Sequence, residues 1–249
     1  MKKFLLGAAA ALAIAAPGVA SAQQSGYVDL GYTSTDASGG GDIDTWTFGG
    51  ATAWGGNGSL GFQIDGQYGS HDAGAFDADT YNLGGHIFTR SDGGLIGGFV
   101  NFGSADFGGA FDYDYWTIGG EGAIYMTRTT LNGVISYSDS EDLDAQITAL
   151  DVGATHFISD NFSFGGNFAI GDIEGGSEFW SAGLGTEFQF SSAPISLFGG
   201  YTHTDFDGTD VDALTVGVRY NWGGSLFERD RSGASLTRNA GFGRLGAIL

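Results

Sequence analysis

Residues 23–222 of this 249-residue chain predict an all-β fold: a transmembrane, antiparallel, up-and-down β-barrel of about twelve strands. Three observations carry the prediction. Apolar and polar residues alternate with period two throughout, as in strands whose two faces meet different surroundings. One phrase returns at a spacing of about thirty-five residues, so the architecture is a closed or stacked array of one hairpin unit. It reads Thr45-Trp46-Thr47-Phe48-Gly49-Gly50, then Thr80-Tyr81-Asn82-Leu83-Gly84-Gly85, then Tyr115-Trp116-Thr117-Ile118-Gly119-Gly120. Finally, carboxylates gather at every second connection, which a soluble sandwich has no physical reason to do.

Composition narrows the class. The chain holds 47 glycines, no cysteine, 14% aromatic and only 15% charged residues, with a net charge of −20. Such aromatic content argues against disorder. The absence of cysteine removes disulfide frameworks and thiolate metal sites. Strong acidity speaks against a nucleic-acid partner, because phosphates need a basic face.

The elements follow in order. Lys2 and Lys3, an apolar run to Ala16 and the segment Val19-Ala20-Ser21-Ala22 predict a signal peptide over residues 1–22, cut after Ala22. Strands are expected at 27–35, 45–54, 59–69, 80–89, 95–103, 115–126, 130–138, 146–157, 162–170, 179–190, 195–203 and 213–222. The third shows the pattern plainly, with Leu60, Phe62, Ile64 and Tyr68 on one side and Gln63, Asp65 and Gln67 on the other. Short turns are expected near 55–58, 90–94, 127–129, 158–161 and 191–194, and longer loops at 36–44, 70–79, 104–114, 139–145, 171–178 and 204–212. The longer loops hold 20 of the 27 acids in residues 23–222 and no Lys or Arg. Short turns at one end and long loops at the other are a barrel pattern. Pro194, the one proline outside the signal, falls in a turn, so every ladder keeps its donors.

Aromatics end the apolar face. Tyr32, Trp46, Tyr68, Tyr81 and Phe102 are expected near the long-loop end, with Trp116, Tyr137, Trp180 and Tyr201 beside them; Trp54 and Trp222 belong to the other end. Rings at both levels form girdles at the headgroup interfaces.

With its signal, its alternating region and a last strand reading Ala213-Leu-Thr-Val-Gly-Val-Arg-Tyr-Asn-Trp222, the sequence resembles porin-like outer-membrane proteins of Gram-negative bacteria. That strand is similar to the C-terminal signal by which such proteins are recognised for insertion. The resemblance implies an integral outer-membrane barrel, with outer-membrane lipid and lipopolysaccharide as its surroundings. The family pattern ends at the final aromatic; here residues 223–249 follow as a basic extension. It carries Arg229, Arg231, Arg238 and Arg244 against Glu228 and Asp230.

If the apolar side meets lipid, the opposite side lines a lumen. Its ionisable residues are then Asp29, Asp65, Glu121, Asp151, Glu187 and Arg219. A carboxylate-rich lining lowers the barrier for cations, and the acidic mouth adds a funnel of the same sign. The expected function is passive diffusion of small hydrophilic, preferably cationic or neutral solutes. A non-conducting structural or surface-interaction barrel is the alternative, with a barrel enzyme behind it. Closure of twelve strands sets the last beside the first, so Arg219 and Asp29 are expected as neighbours. The tail has two readings: a loose or surface-lying extension, as termini usually are, or a plug drawn into the acidic lumen. No cofactor or catalytic constellation is expected; none of His71, His86, His156 and His203 has a serine two residues on, as outer-membrane phospholipases would ask. Asp205 to Asp212 offers hard oxygens without the full calcium-loop order, so no metal site is assigned.

Overall fold

The computed structural model describes residues 24–55, 58, 60–74, 77–108, 111–238 and 240–245. The expected signal peptide lies outside them. Alternating residues with few helix formers leave the backbone one way to satisfy its N–H and C=O groups in an apolar medium, which is ladder pairing without free edges. Twelve strands do so. They are β1 (Gln24–Ala37), β2 (Asp42–Gly55), β3 (Leu60–Asp72), β4 (Asp77–Ser91), β5 (Gly94–Asp106) and β6 (Asp112–Tyr125). The second half supplies β7 (Thr129–Ser140), β8 (Ala145–Ser159), β9 (Phe162–Ile173), β10 (Ser177–Gln189), β11 (Ile195–Phe206) and β12 (Thr209–Trp222). Each pairs antiparallel with its sequence neighbours, and β1 pairs with β12 to close the barrel.

The strands run further than alternation indicates. β1 reaches Ala37 and β2 starts at Asp42, so most of the expected loop 36–44 is ladder. The β11–β12 connection shrinks to Asp207-Gly208, both with positive φ, a two-residue hairpin turn. The two ends therefore do not differ in loop length, and the carboxylates stand on strand extensions. Height supplies the reason. Strands of 12–15 residues tilted near 40° stand about 30–38 Å tall, against an apolar band of about 25 Å. The surplus rises into water at the carboxylate end, where backbone pairing continues and charged side chains are solvated.

The two faces separate cleanly. Outward stand exposed residues such as Leu60, Ile96, Ile135, Leu184 and Leu214, while Asp29, Gln63, Asp65, His86, Arg90, Asn101, Glu121 and Asn221 are buried within. The core of this protein is thus the filled interior of the barrel.

Candidate functional site in the barrel lumen

After Trp222 the chain turns back into the barrel mouth. Gly223 and Gly224, at φ +90° and +123°, make that reversal, in a region where L side chains are strained. Ser225 then caps a short helix, α1 (Leu226–Ser232). Its hydroxyl accepts from the Glu228 N–H, while the Glu228 side chain accepts from the Ser225 N–H. A second helical turn, α2, covers Phe242–Leu245.

Between them the tail climbs the lumen, held by the inward faces of many strands. Arg90 on β4, itself buried, donates to the Gly233 carbonyl (2.9 Å) and the Ser235 hydroxyl (3.2 Å). Gln63 on β3 exchanges bonds with both Leu236 backbone groups (3.3 and 3.4 Å). Asn101 on β5 donates to the Arg238 carbonyl at 3.1 Å. Near the carboxylate end Phe242 joins a buried apolar cluster with Ala105, Tyr113, Tyr115, Ile147, Ala149 and Phe179. The described part of the tail lies inside the lumen, against the expectation of a loose or surface-lying extension. An acidic, polar wall and a basic segment with free backbone groups are complementary, although Asp65 Oδ1, Arg90 Nη1 and Arg229 Nε stay buried without a hydrogen-bond partner.

The sequence-assigned lumen residues fall into three places. Asp29, Glu187 and Arg219 meet at the seam: Asp29 and Arg219 are directly paired in register, with Arg219 donating to Asp29 Oδ2 at 2.8 Å and to Glu187 Oε2 at 2.7 Å. Arg238 of the tail adds a second guanidinium on Asp29 Oδ1 at 2.9 Å, and Arg229 approaches Glu187 at 3.7 Å. Asp65 and Glu121 meet through His86, whose Nε2 lies 2.8 Å from Asp65 and whose Nδ1 lies 2.7 Å from Glu121. Asp151 lies elsewhere on the wall, half-buried, its ladder partners being Val134 and Ala169.

Sequence reasoning missed five contributors. Tyr27 offers its ring face to Arg219, at 4.1 Å from the centroid. Arg90 grips the tail. Tyr113, Tyr115 and Phe179 fill the lumen near its carboxylate end. Adjacent rings were the available signal: in Tyr115-Trp116 and Phe179-Trp180 one ring of each pair must point inward.

On the outer face Trp46, Phe102, Trp116, Trp180 and Tyr201 are exposed, with Tyr32, Tyr68, Tyr81 and Tyr137 half-buried beside them. Tyr32 packs on Trp46 at 5.2 Å, Tyr68 on Tyr81 at 5.3 Å and Trp116 on Tyr137 at 5.7 Å. Four tyrosine hydroxyls reach carboxylates toward the loops: Tyr32 to Asp44, Tyr68 to Asp79, Tyr137 to Asp139 and Tyr201 to Asp212. At the opposite end Trp54 pairs with the outward Phe62, and Trp222 follows the outward Tyr220.

The other histidines are engaged locally. His71, expected in a loop, is on β3, buried between Thr45 and Thr80. His156 bonds Thr129, and His203 bonds Asp212.

No family model matches this sequence. No curated protein matches it either. Solved structures resemble it in shape. The translocator domain of autotransporter NalP from Neisseria meningitidis aligns at TM-score 0.58 and 14% identity, covering 89% of this chain and 96% of that one. The COG4313 outer membrane channel from Pseudomonas putida F1 aligns at 0.59 and 11%, covering 83% and 97%. A KdgM porin aligns at 0.55 and 8%, covering 78% and 99%. At these identities the likeness is one of fold. The chain has the fold of outer-membrane β-barrels, closed on twelve antiparallel strands.

Proposed function

We propose that the protein is an outer-membrane channel for passive diffusion of small hydrophilic, cation-favoured solutes, shut at rest by its own C-terminal segment. One observation carries the reading. Beside the apolar packing of Ala234, Ala240 and Phe242, the tail is joined to the wall by ion pairs and hydrogen bonds, including Asp29–Arg238, Arg90–Gly233 and Gln63–Leu236. Water and ions can replace each of these when the segment leaves. The wall it would uncover carries Asp29, Asp65, Glu121, Asp151 and Glu187 against Arg90, Arg219 and His86, whose two nitrogens both donate to carboxylates, a balance that still favours cations. A channel fits better than an enzyme: both His86 nitrogens are spent on carboxylates, leaving neither to take a proton from a hydroxyl. The filled lumen favours one other reading, a permanently closed structural barrel.

Planar-bilayer recordings separate the two. The full chain is expected to conduct rarely, and Arg229→Gln with Arg238→Gln to conduct often, with a reversal potential favouring potassium over chloride. A silent double variant would leave the structural reading standing, and chloride preference would overturn the selectivity.

The outward face supports placement in lipid, with divalent cations bridging the loop-end carboxylates to lipopolysaccharide phosphates. Leu184, 70% exposed on β10, is a direct probe. Leu184→Arg is expected to lower the stability of the vesicle-inserted barrel by about 2–4 kcal/mol in urea titrations. An unchanged midpoint would put this face in water.

A further inference from the structure

We propose that Asp29, Glu187, Tyr27 and Arg219 form a lumen subsite for guanidinium-bearing small solutes, of which free L-arginine is the simplest, and that Arg238 is its resident in-chain occupant. The inference rests on reading the lumen as a solute path, and names a solute class for it.

Arg219 does not saturate the carboxylates it touches. Its Nε and Nη2 go to one oxygen of Asp29, at 3.1 and 2.8 Å, and its Nη1 to one oxygen of Glu187, at 2.7 Å. Each acid keeps its second oxygen, Oδ1 and Oε1, and those are the oxygens facing the tail's guanidinium groups. Glu187 Oε1 also accepts from the Ser196 hydroxyl, which fixes its direction. Three guanidinium carbons surround the Tyr27 ring, that of Arg219 at 4.1 Å, Arg238 at 5.3 Å and Arg229 at 6.0 Å. Only the first belongs to the wall. Arg219 is therefore a fixed spacer between two acids beside an aromatic face, and it leaves one oxygen of each acid for a further planar cation.

The sign of the site supports this. Without the tail, two carboxylates face one arginine, a net −1; Arg238 and Arg229 turn it to +1. A further acceptor stands nearby, for Asp65 is fully buried and its Oδ1 has no hydrogen-bond partner. A guanidinium suits the place better than an ammonium, because it is planar, stacks on a ring and is weakly hydrated.

The tail and the solute compete for one site, so the parent's affinity is reduced by the fraction of time the site is free. Equilibrium dialysis of radiolabelled L-arginine against the full chain in detergent reads this directly. Arg238→Gln is expected to bind at least about tenfold tighter than the parent. Arg238→Lys, which keeps a cation in place, should gain little. Adding Asp29→Asn or Glu187→Gln to Arg238→Gln should remove the gain, in protein whose barrel still resists SDS until heated. Excess L-glutamate should not displace the label. Equal binding by Arg238→Gln and parent overturns the proposal, as does displacement by L-glutamate or indifference to both acid substitutions. The readout is binding. Arginine binding in a barrel that never conducts would sink the channel reading alone, and conduction without arginine binding would sink this one alone.

Discussion

A chain carrying Ser25→Cys and Gly233→Cys is expected to form one intramolecular disulfide, and its channel to stay shut until a reductant is added. Gly233 follows α1 in extended backbone, at φ −127°, which any residue adopts. A Cβ there would lie 2.6 Å from the Ser25 Cβ on β1. Disulfides hold these atoms about 3.8 Å apart, so a shift of roughly 1 Å makes room for the bond. The sequence has no native cysteine to compete. The informative background is Arg229→Gln with Arg238→Gln, in which the tail's ionic grip is gone. Bilayer current should be absent while the bond is intact and should appear on reduction. The oxidised form should also migrate differently from the reduced one in denaturing gels. Current through the oxidised form would show that the tail does not close the path.

Arg219→Ala is expected to be the most damaging single substitution in the wall, lowering stability by about 3–5 kcal/mol. Its side chain is 17% exposed and sits against those of Asp29 and Glu187, which are 4% and 16% exposed. Removing it leaves two neighbouring carboxylates with one shared partner fewer, in a place where water reaches them poorly. The tail's Arg238 and Arg229 remain, so the loss should deepen when Arg238→Gln is added. The Arg128–Asp160 pair is the control, taken from its exposed acid: Asp160→Ala should change stability by less than about 1 kcal/mol. Urea titration of vesicle-inserted protein, followed by tryptophan fluorescence, measures all of them. Equal losses for Arg219→Ala and Asp160→Ala would mean that the seam cluster is solvated.

Much of the wall was legible in the sequence, because a strand's two faces are fixed by backbone geometry. Period two placed Asp29, Asp65, Glu121, Glu187 and Arg219 inside, and Trp46, Phe102 and Tyr201 outside. An even count of strands brought Asp29 to Arg219. The height of the barrel was not legible: ladder bonds form as well above the tyrosine belt as below it, so Asp36, Asp42 and Asp44 read as loop although two of them extend β2 and the third lies in β1. Tyr113 and Tyr115 were hidden for a different reason, since the repeat places the neighbouring ring, Trp116, on the outer face and carries no mark for the inner one. Least legible was the tail's place. Arg90, Gln63, Asn101 and Asp29 are scattered along the chain, and each is an ordinary polar residue until the closed wall assembles them around one segment.

The seam has a consequence for assembly. β1 and β12 are the most distant partners in the barrel, and Asp29 and Arg219 meet across 190 residues of chain, so their pairing carries the largest loop-closure cost of any ladder. The tail enters the lumen directly from β12, and its Arg238 bonds the β1 carboxylate from 209 residues away. It is thus attached to one edge of the opening and takes hold of the other. Occupant and wall need not form in succession: a nascent sheet that curls around its own last residues has a template for the ring it must close.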